Sequence, residues 1–274
     1  MTNWQQGGWN SQGGQPGGGQ QGGGWQGGWQ GGGGQGGRGG RGGGAVAHAN
    51  VEDRASFLTK TYLHLVGALF VFLFLEAALI ASGLAERLLY MAQGRFSWFL
   101  FLGGFMAVSY VADRWARSDT SRGMQYAGLG LYTLAEAVLF APLVVMAMYI
   151  AVEDGEMAFS ILGKALWISL VLFAGLTGVV FLTRKDFSWL RGVLMFGGLS
   201  ALVLIGASLI FGFQLGLVFM WAMVVFAGAS ILYNTSNVLH HYRTDQYVAA
   251  ALNLFASFAL LLWYVLSILM SRRD

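Results

Sequence analysis

The chain has 274 residues, of which 55% are apolar and only 11% charged, and its mean hydropathy is +0.56. Soluble domains carry about a quarter charged residues, so an ordinary cytosolic fold is excluded and an all-α integral membrane protein is expected. There is no cysteine, which excludes disulfides, thiol nucleophiles and cysteine-held metals.

Residues 1–44 contain 23 Gly, nine Gln and four Trp (Trp4, Trp9, Trp25 and Trp29). Such a segment buries too little apolar area to offset its chain entropy, so residues 1–50 are expected to form a disordered Gly/Gln/Trp-rich arm. Its glycines lack the preceding strand and following helix of a nucleotide loop. Arg38 and Arg41 stand in an RGG pair among tryptophans, a composition that favours weak self-association by stacking. Two arginines supply little phosphate affinity, and nucleic acid is not an expected partner. No cleavable signal peptide is visible, so the first span is expected to serve as its own insertion signal.

A membrane domain is expected over residues 51–274. About 20 apolar residues are needed to cross a bilayer, and seven segments qualify or nearly so: 60–83, 95–113, 124–150, 165–183, 190–211, 213–233 and 247–270. The fifth and sixth are separated by the glycine-rich turn at 212–216. With the N-terminus in the cytoplasm, eleven Lys and Arg fall inside and five outside, as the positive-inside rule requires. The Arg272–Arg273 pair opposes that assignment mildly and leaves a re-entrant last segment as an alternative. A bacterial inner membrane is the expected location. Trp98, Trp115, Trp167, Trp189 and Tyr149 lie near span ends, where interfacial aromatics belong. Paired or closely spaced small residues (Gly103 and Gly104, Gly128 and Gly130, Gly175 and Gly178, Gly197 and Gly198, Ala249 to Ala251) are read as helix-packing positions.

The last span carries a polar stripe. Gln246, Asn253, Ser257, Tyr264 and Ser267 fall near one face of a helix. A polar seam of this kind faces protein or water rather than lipid, which makes this helix the expected centre of the bundle. Two carboxyls lie within apolar runs: Glu136 in the third span and Glu76 in the first. An ionised carboxyl there is expensive, so each is expected to be neutral, water-exposed or paired. Glu136 is weighed evenly between a proton or cation switch and a protonated carboxyl hydrogen-bonded to a neighbouring helix; for Glu76 the structural role is favoured. Pro142 should kink the third span. His64, His240 and His241 read as interfacial side chains, because no metal-binding spacing joins them. The last span has no lysine for a Schiff base, and the ligands of a zinc hydrolase are missing. No nucleophile–base or metal constellation points to an enzyme.

The stretches LGKALWISLVLFAGLTGVVFLTRKDFSWLRGVL (162–194) and ILYNTSNVLHHYRTDQYVAAALNLFASF (231–258) resemble the Bax inhibitor-1 family. The likeness lies in Gly175-Leu176-Thr177, in the Lys185 to Ser188 loop, and in the Ile-Leu-Tyr-Asn-Thr end of the sixth span. It covers about residues 52–271. It implies six helices around a central seventh, and a pH-sensitive calcium leak gated by two aspartates that share protons. By motif those two positions are Asn234 and Ser257 here. Both departures remove charge, and calcium affinity depends strongly on ligand charge. A shared-proton gate needs two titrating groups, which these residues are not. The fold is therefore expected to carry over, with the sensor replaced by a neutral version. Asn234, Ser257 and Asn253 are the candidate ion-path or gate positions, with Glu136 as a candidate replacement acid and Glu76 as a vestibule residue. No cofactor is expected, and calcium enters only as a transported ion. The competing reading is a non-transporting regulator that binds membrane proteins or proteases in a stress response.

Overall fold

The computed structural model describes residues 45–119 and 121–271, apart from the side chains of Arg95 and Phe96. The expected disordered arm lies outside the described residues up to position 44. Eight α-helices follow in chain order: α1 (Val51–Ala81), α2 (Leu84–Ala92), α3 (Arg95–Ala116), α4 (Arg122–Glu153), α5 (Ser160–Thr183), α6 (Leu190–Phe211), α7 (Gly216–His240) and α8 (Tyr247–Ser271). Six of them (all but α2 and α3) are long and apolar enough to cross a membrane, and the count reaches seven when α2 and α3 are taken as one broken span bent by 115°. In lipid every backbone amide must be satisfied within the segment, which is why long apolar runs become helices here.

Local signals explain several boundaries. Asn50 caps α1, its side chain accepting from the Asp53 N–H at 2.8 Å, and Glu52 and Asp53 complement the helix dipole. Ser121 caps α4 by accepting from the Met124 N–H at 3.2 Å. Gly212 and Gly216 take φ values of 75° and 68°, which lets α6 reverse into α7. Pro142 is buried inside α4, which runs through it as a single 32-residue helix.

Three boundaries differ from the sequence reading. Residues 84–94 are not a plain loop: Gly83 (φ 68°) turns the chain into the nine-residue α2, whose Ala85, Leu88 and Leu89 pack on Leu79, Ile80, Ala141 and Val145. Helix α7 continues two turns past Tyr233, so the Tyr-Asn-Thr-Ser-Asn cluster is helical. Residues 45–50 are folded. Ala45 forms an isolated antiparallel bridge with Arg243, Val46 donates its N–H to the Tyr242 carbonyl at 2.9 Å, and the Val46 side chain is fully buried.

Helix α8 is the centre of the bundle. In its most apolar stretch 67% of residues are buried, against 6% for α6 at the periphery. It packs against α1, α3, α4, α5 and α7. Lipid is as apolar as leucine, so close packing rather than water exclusion holds such helices together. Edge-to-face aromatic pairs supply much of it. Phe255 meets Phe72 of α1 at 5.9 Å and Tyr132 of α4 at 6.0 Å, Trp263 meets Phe140 at 5.1 Å, and Phe258 meets Phe173 of α5 at 5.7 Å.

Helices α3 and α4 touch backbone to backbone at Gly128. A Cβ there would lie 2.5 Å from the Ala112 carbonyl oxygen and 2.6 Å from the Ala116 nitrogen, whereas one at Gly103 would meet nothing within 4 Å. Gly128→Ala should therefore force the two helices apart and cost about 1–3 kcal/mol. Gly103→Ala should not. Thermal melts of the two purified variants check this, and equal melting temperatures would refute the close-contact role of Gly128.

Candidate functional site

The polar stripe of α8 faces α7. Residues Ser230 and Asn234 lie one turn apart on α7, and Asn253 and Ser257 one turn apart on α8. The Asn234 amide donates to Ser257 Oγ at 2.8 Å, with the Asn253 carbonyl and Ser230 Oγ both at 3.4 Å. Ser230 Oγ lies 2.9 Å from Ser257 Oγ, and Ser257 donates to the Asn253 carbonyl at 3.0 Å. The Asn253 amide is turned back onto the Ala249 carbonyl at 2.9 Å. The result is a hydrogen-bonded clasp across the α7–α8 seam, with Ser257 buried at its centre. Each of its members is uncharged and has no proton to titrate near neutrality.

A polar cavity of about 390 Å³ leads from one end of the bundle to this clasp. Asn234 and Asn253 form its inner end, Asn237 and Gln246 its walls, and Arg117 and Arg191 face it from α3 and α6. This end also gathers the 117–121, 184–189 and 241–246 connections with residues 45–50, and is called the basic end below. The Arg117 guanidinium is held by Asp113 at 2.9 Å.

The Lys-Asp-Phe-Ser loop docks beside the cavity mouth. Ser236, fully buried on α7, accepts from the Phe187 N–H at 2.9 Å and donates to Asp186 at 3.3 Å. His241 contacts the same carboxylate at 3.2 Å. Partial desolvation alone would raise the Asp186 pKa, but hydrogen bonds from the Ser188 backbone and the His241 ring outweigh it and hold the carboxyl below its usual range. Across the mouth, Arg243 ties Asp119 at 2.6 Å to Asp245 at 2.8 Å and so joins the α3–α4 and α7–α8 connections.

The two carboxyls of the membrane interior do not join this site. Glu136 accepts from the Tyr132 hydroxyl at 2.7 Å, with both side chains buried on α4. The Tyr132 ring meets Phe255, while Ser257 lies two residues further along α8, about 200° around the helix. Glu136 and the clasp therefore occupy opposite sides of α8, and the structure does not bring Glu136 to Asn234 as a replacement acid. Glu76 is also buried, and neither of its oxygens has a hydrogen-bond partner among the described residues. It does not line the cavity. Of the three states expected for such groups, Glu136 is paired, whereas Glu76 is neither paired nor exposed.

Sequence reasoning found three of the four clasp residues and missed Ser230. Its position four residues before Asn234 was the available signal, because i and i+4 share a helix face. Arg117 and Arg191 were legible only as charges of one membrane side. Among the described residues no group of three or more His, Asp or Glu side chains gathers as a metal site.

A central, buried last helix with a polar seam, enclosed by further long apolar helices, defines a multi-pass helical membrane protein. The family described as inhibitor of apoptosis-promoting Bax1 matches residues 54–274, and the chain belongs to this Bax inhibitor-1 family. An uncharacterised protein of Pseudomonas aeruginosa is 32% identical over 116 residues, which is 41% of this chain and 50% of the relative. The chain thus spans about half the length of the curated relative it matches.

An unpartnered buried carboxyl costs about 1–3 kcal/mol relative to an apolar group of similar shape. Glu76→Leu is expected to raise the melting temperature of the purified protein. A lower melting temperature would show that the carboxyl contributes to the native packing.

Proposed function

We propose that the protein is a leak pathway for small cations, calcium among them, that runs along the α7–α8 seam and is shut here by the neutral clasp. The chain would lie in a bacterial inner membrane with its N-terminus and basic end in the cytoplasm. The observation that carries the reading is the continuity of the 390 Å³ polar cavity with the Asn234–Ser257 hydrogen bond. Asparagine, glutamine and backbone oxygens along it would bind a cation weakly, as conduction requires. Beyond Ser257 the helix is sealed by Phe258, Leu261 and Leu262, so opening would need α7 to part from α8.

The absence of a titrating group in the clasp gives this reading its test. Calcium flux into liposomes containing the full chain is expected to vary little between about pH 5 and 8. Asn234→Asp/Ser257→Asp would place two carboxyls at the spacing now spanned by a 2.8 Å hydrogen bond, close enough to share one proton. That double variant should gain a steep pH dependence in the same range. Glu136→Gln keeps an oxygen for Tyr132 and should leave the flux within about twofold of wild type, since the group lies outside the route. Wild-type flux equal to that of empty vesicles would remove the leak reading.

A second reading is favoured by the two guanidiniums that face the cavity, since positive charge at the mouth repels cations. In it the chain is a non-transporting regulator that binds membrane proteins or proteases, and the clasp is a structural lock. Crosslinking followed by co-purification identifies such partners, and retention of a protein partner by a flux-null protein would establish it.

A further inference from the structure

A second cluster lies at the basic end, where α1, α4 and the start of α8 meet, separate from the cavity. Tyr247, in the first turn of α8, is the hub. Its hydroxyl accepts from Arg122 Nη1 at 3.1 Å and lies 3.2 Å from the Tyr126 hydroxyl. The Tyr126 hydroxyl is in turn 3.3 Å from His64 Nε2, and the His64 and Tyr126 rings stack at 5.5 Å. The Lys60 ammonium and the Arg122 guanidinium both approach the Tyr247 ring, at 5.7 and 5.9 Å.

Two exposed cations therefore converge on one aromatic ring, and among the described residues neither forms an ion pair. The acids nearest along α1, Glu52 and Asp53, lie eight and seven residues before Lys60, about 11 Å away along the axis. The first turn of α4 has no acid, and Asp245, just before α8, is held by Arg243. Two cations held beside one ring, with neither paired to an acid, leave positive charge available to an anionic ligand. Arg122 spends one of its N–H groups on Tyr247 and keeps the others for such a ligand.

Directly below the cluster an apolar groove of about 350 Å³ runs between α1 and α4. Its walls are Leu63, Gly67 and Val71 on one helix and Leu129, Gly130 and Thr133 on the other. A Cβ at Gly67 or Gly130 would meet nothing within 4 Å, so the two glycines open the groove rather than close a helix contact. From His64 to Val71 the groove descends about 10 Å into the hydrocarbon layer. A cationic rim at headgroup level above a chain-wide apolar slot is complementary to a lipid with a negative head.

We propose that Lys60 and Arg122 bind the phosphate of an anionic phospholipid, with Tyr126 and His64 as hydrogen-bonding neighbours and one acyl chain in the α1–α4 groove. The site is independent of the leak reading. Only its assignment to the cytoplasmic leaflet rests on the proposed orientation. The lipid would touch α8 through Tyr247, on the same helix that carries Asn253 and Ser257.

The test uses the full chain in nanodiscs of phosphatidylcholine doped with phosphatidylglycerol, with retained lipid counted by native mass spectrometry after extraction. The wild type should retain phosphatidylglycerol above its bulk proportion. Lys60→Gln/Arg122→Gln should reduce that preference roughly 25-fold, a factor of about five for each cation. Arg114→Gln/Arg184→Gln removes two charges from the same end and should retain it. Gly130→Leu should also abolish it, by placing a side chain in the groove at a position where a Cβ meets nothing within 4 Å. Melting temperatures in pure phosphatidylcholine report whether each variant is folded; if Lys60→Gln/Arg122→Gln is not, Gly130→Leu decides. Phosphatidylglycerol retention unchanged in the folded rim or groove variants, or lost equally in the control pair, would overturn the proposal. So would stabilisation of the wild type by inorganic phosphate alone in phosphatidylcholine discs, which would mark a free-phosphate site.

Discussion

The close packing of α8 against five neighbours is the constraint on which the rest of the structure depends. Inside a bilayer no water is released when two apolar helices meet, so the contact must be won by fit. The fit is of two kinds. At the basic end Ala249, Ala250 and Ala251 are all fully buried and let neighbouring backbones come near. Further along, Phe255, Phe258 and Trp263 present ring edges and faces to α1, α4 and α5. Once α8 is enclosed, its polar residues must find protein partners; α4 supplies them to Tyr247 and α7 to Ser257. The Ser230–Asn234–Ser257 clasp is thus a consequence of central burial as much as a candidate gate.

That double character bears on how a neutral clasp differs from a paired acid. Two carboxyls in contact have a state, one proton shared or none, that solution pH selects. An amide and two hydroxyls have one state, and only a mechanical event can open them. If the α7–α8 seam parts in this protein, the cause must act on the helices themselves. Three connections fix the basic end of that seam: the 184–189 loop on Ser236, the Arg243 bridge to Asp119, and residues 45–46 on the α7–α8 turn.

Much of this was legible in the chain because membrane segments announce themselves by length and apolarity, and because a polar stripe in an apolar helix has few places to go. The spans at 190–211 and 247–270 agree with α6 and α8 to within a residue. What was not legible depended on tertiary partners. The helix α2 is short and amphipathic, and its apolar side exists only because Ala141 and Val145 of α4 receive it. The sixth span is expected to end near 233, since Asn, Thr and Ser disfavour helix; α7 instead runs on to His240, with Thr235 and Ser236 fully buried and Ser236 bound to the 184–189 loop. For Glu136 the switch and the structural hydrogen bond weigh evenly in the sequence; the structure has the hydrogen bond, from the tyrosine one turn earlier on the same helix, a pairing the i, i+4 spacing allows.

The antiparallel contact between Ala45–Val46 and Tyr242–Arg243 joins the first of the described residues to the last helical hairpin. During synthesis residues 45 and 46 leave the ribosome before any of the eight helices, yet their partner does not exist until α7 and the turn after it have been made. The pair must therefore wait for almost the whole bundle before it can settle. Its closure marks the end of assembly, and protection of the Val46 amide from hydrogen exchange reports on completion of the entire membrane domain rather than on the neighbourhood of α1.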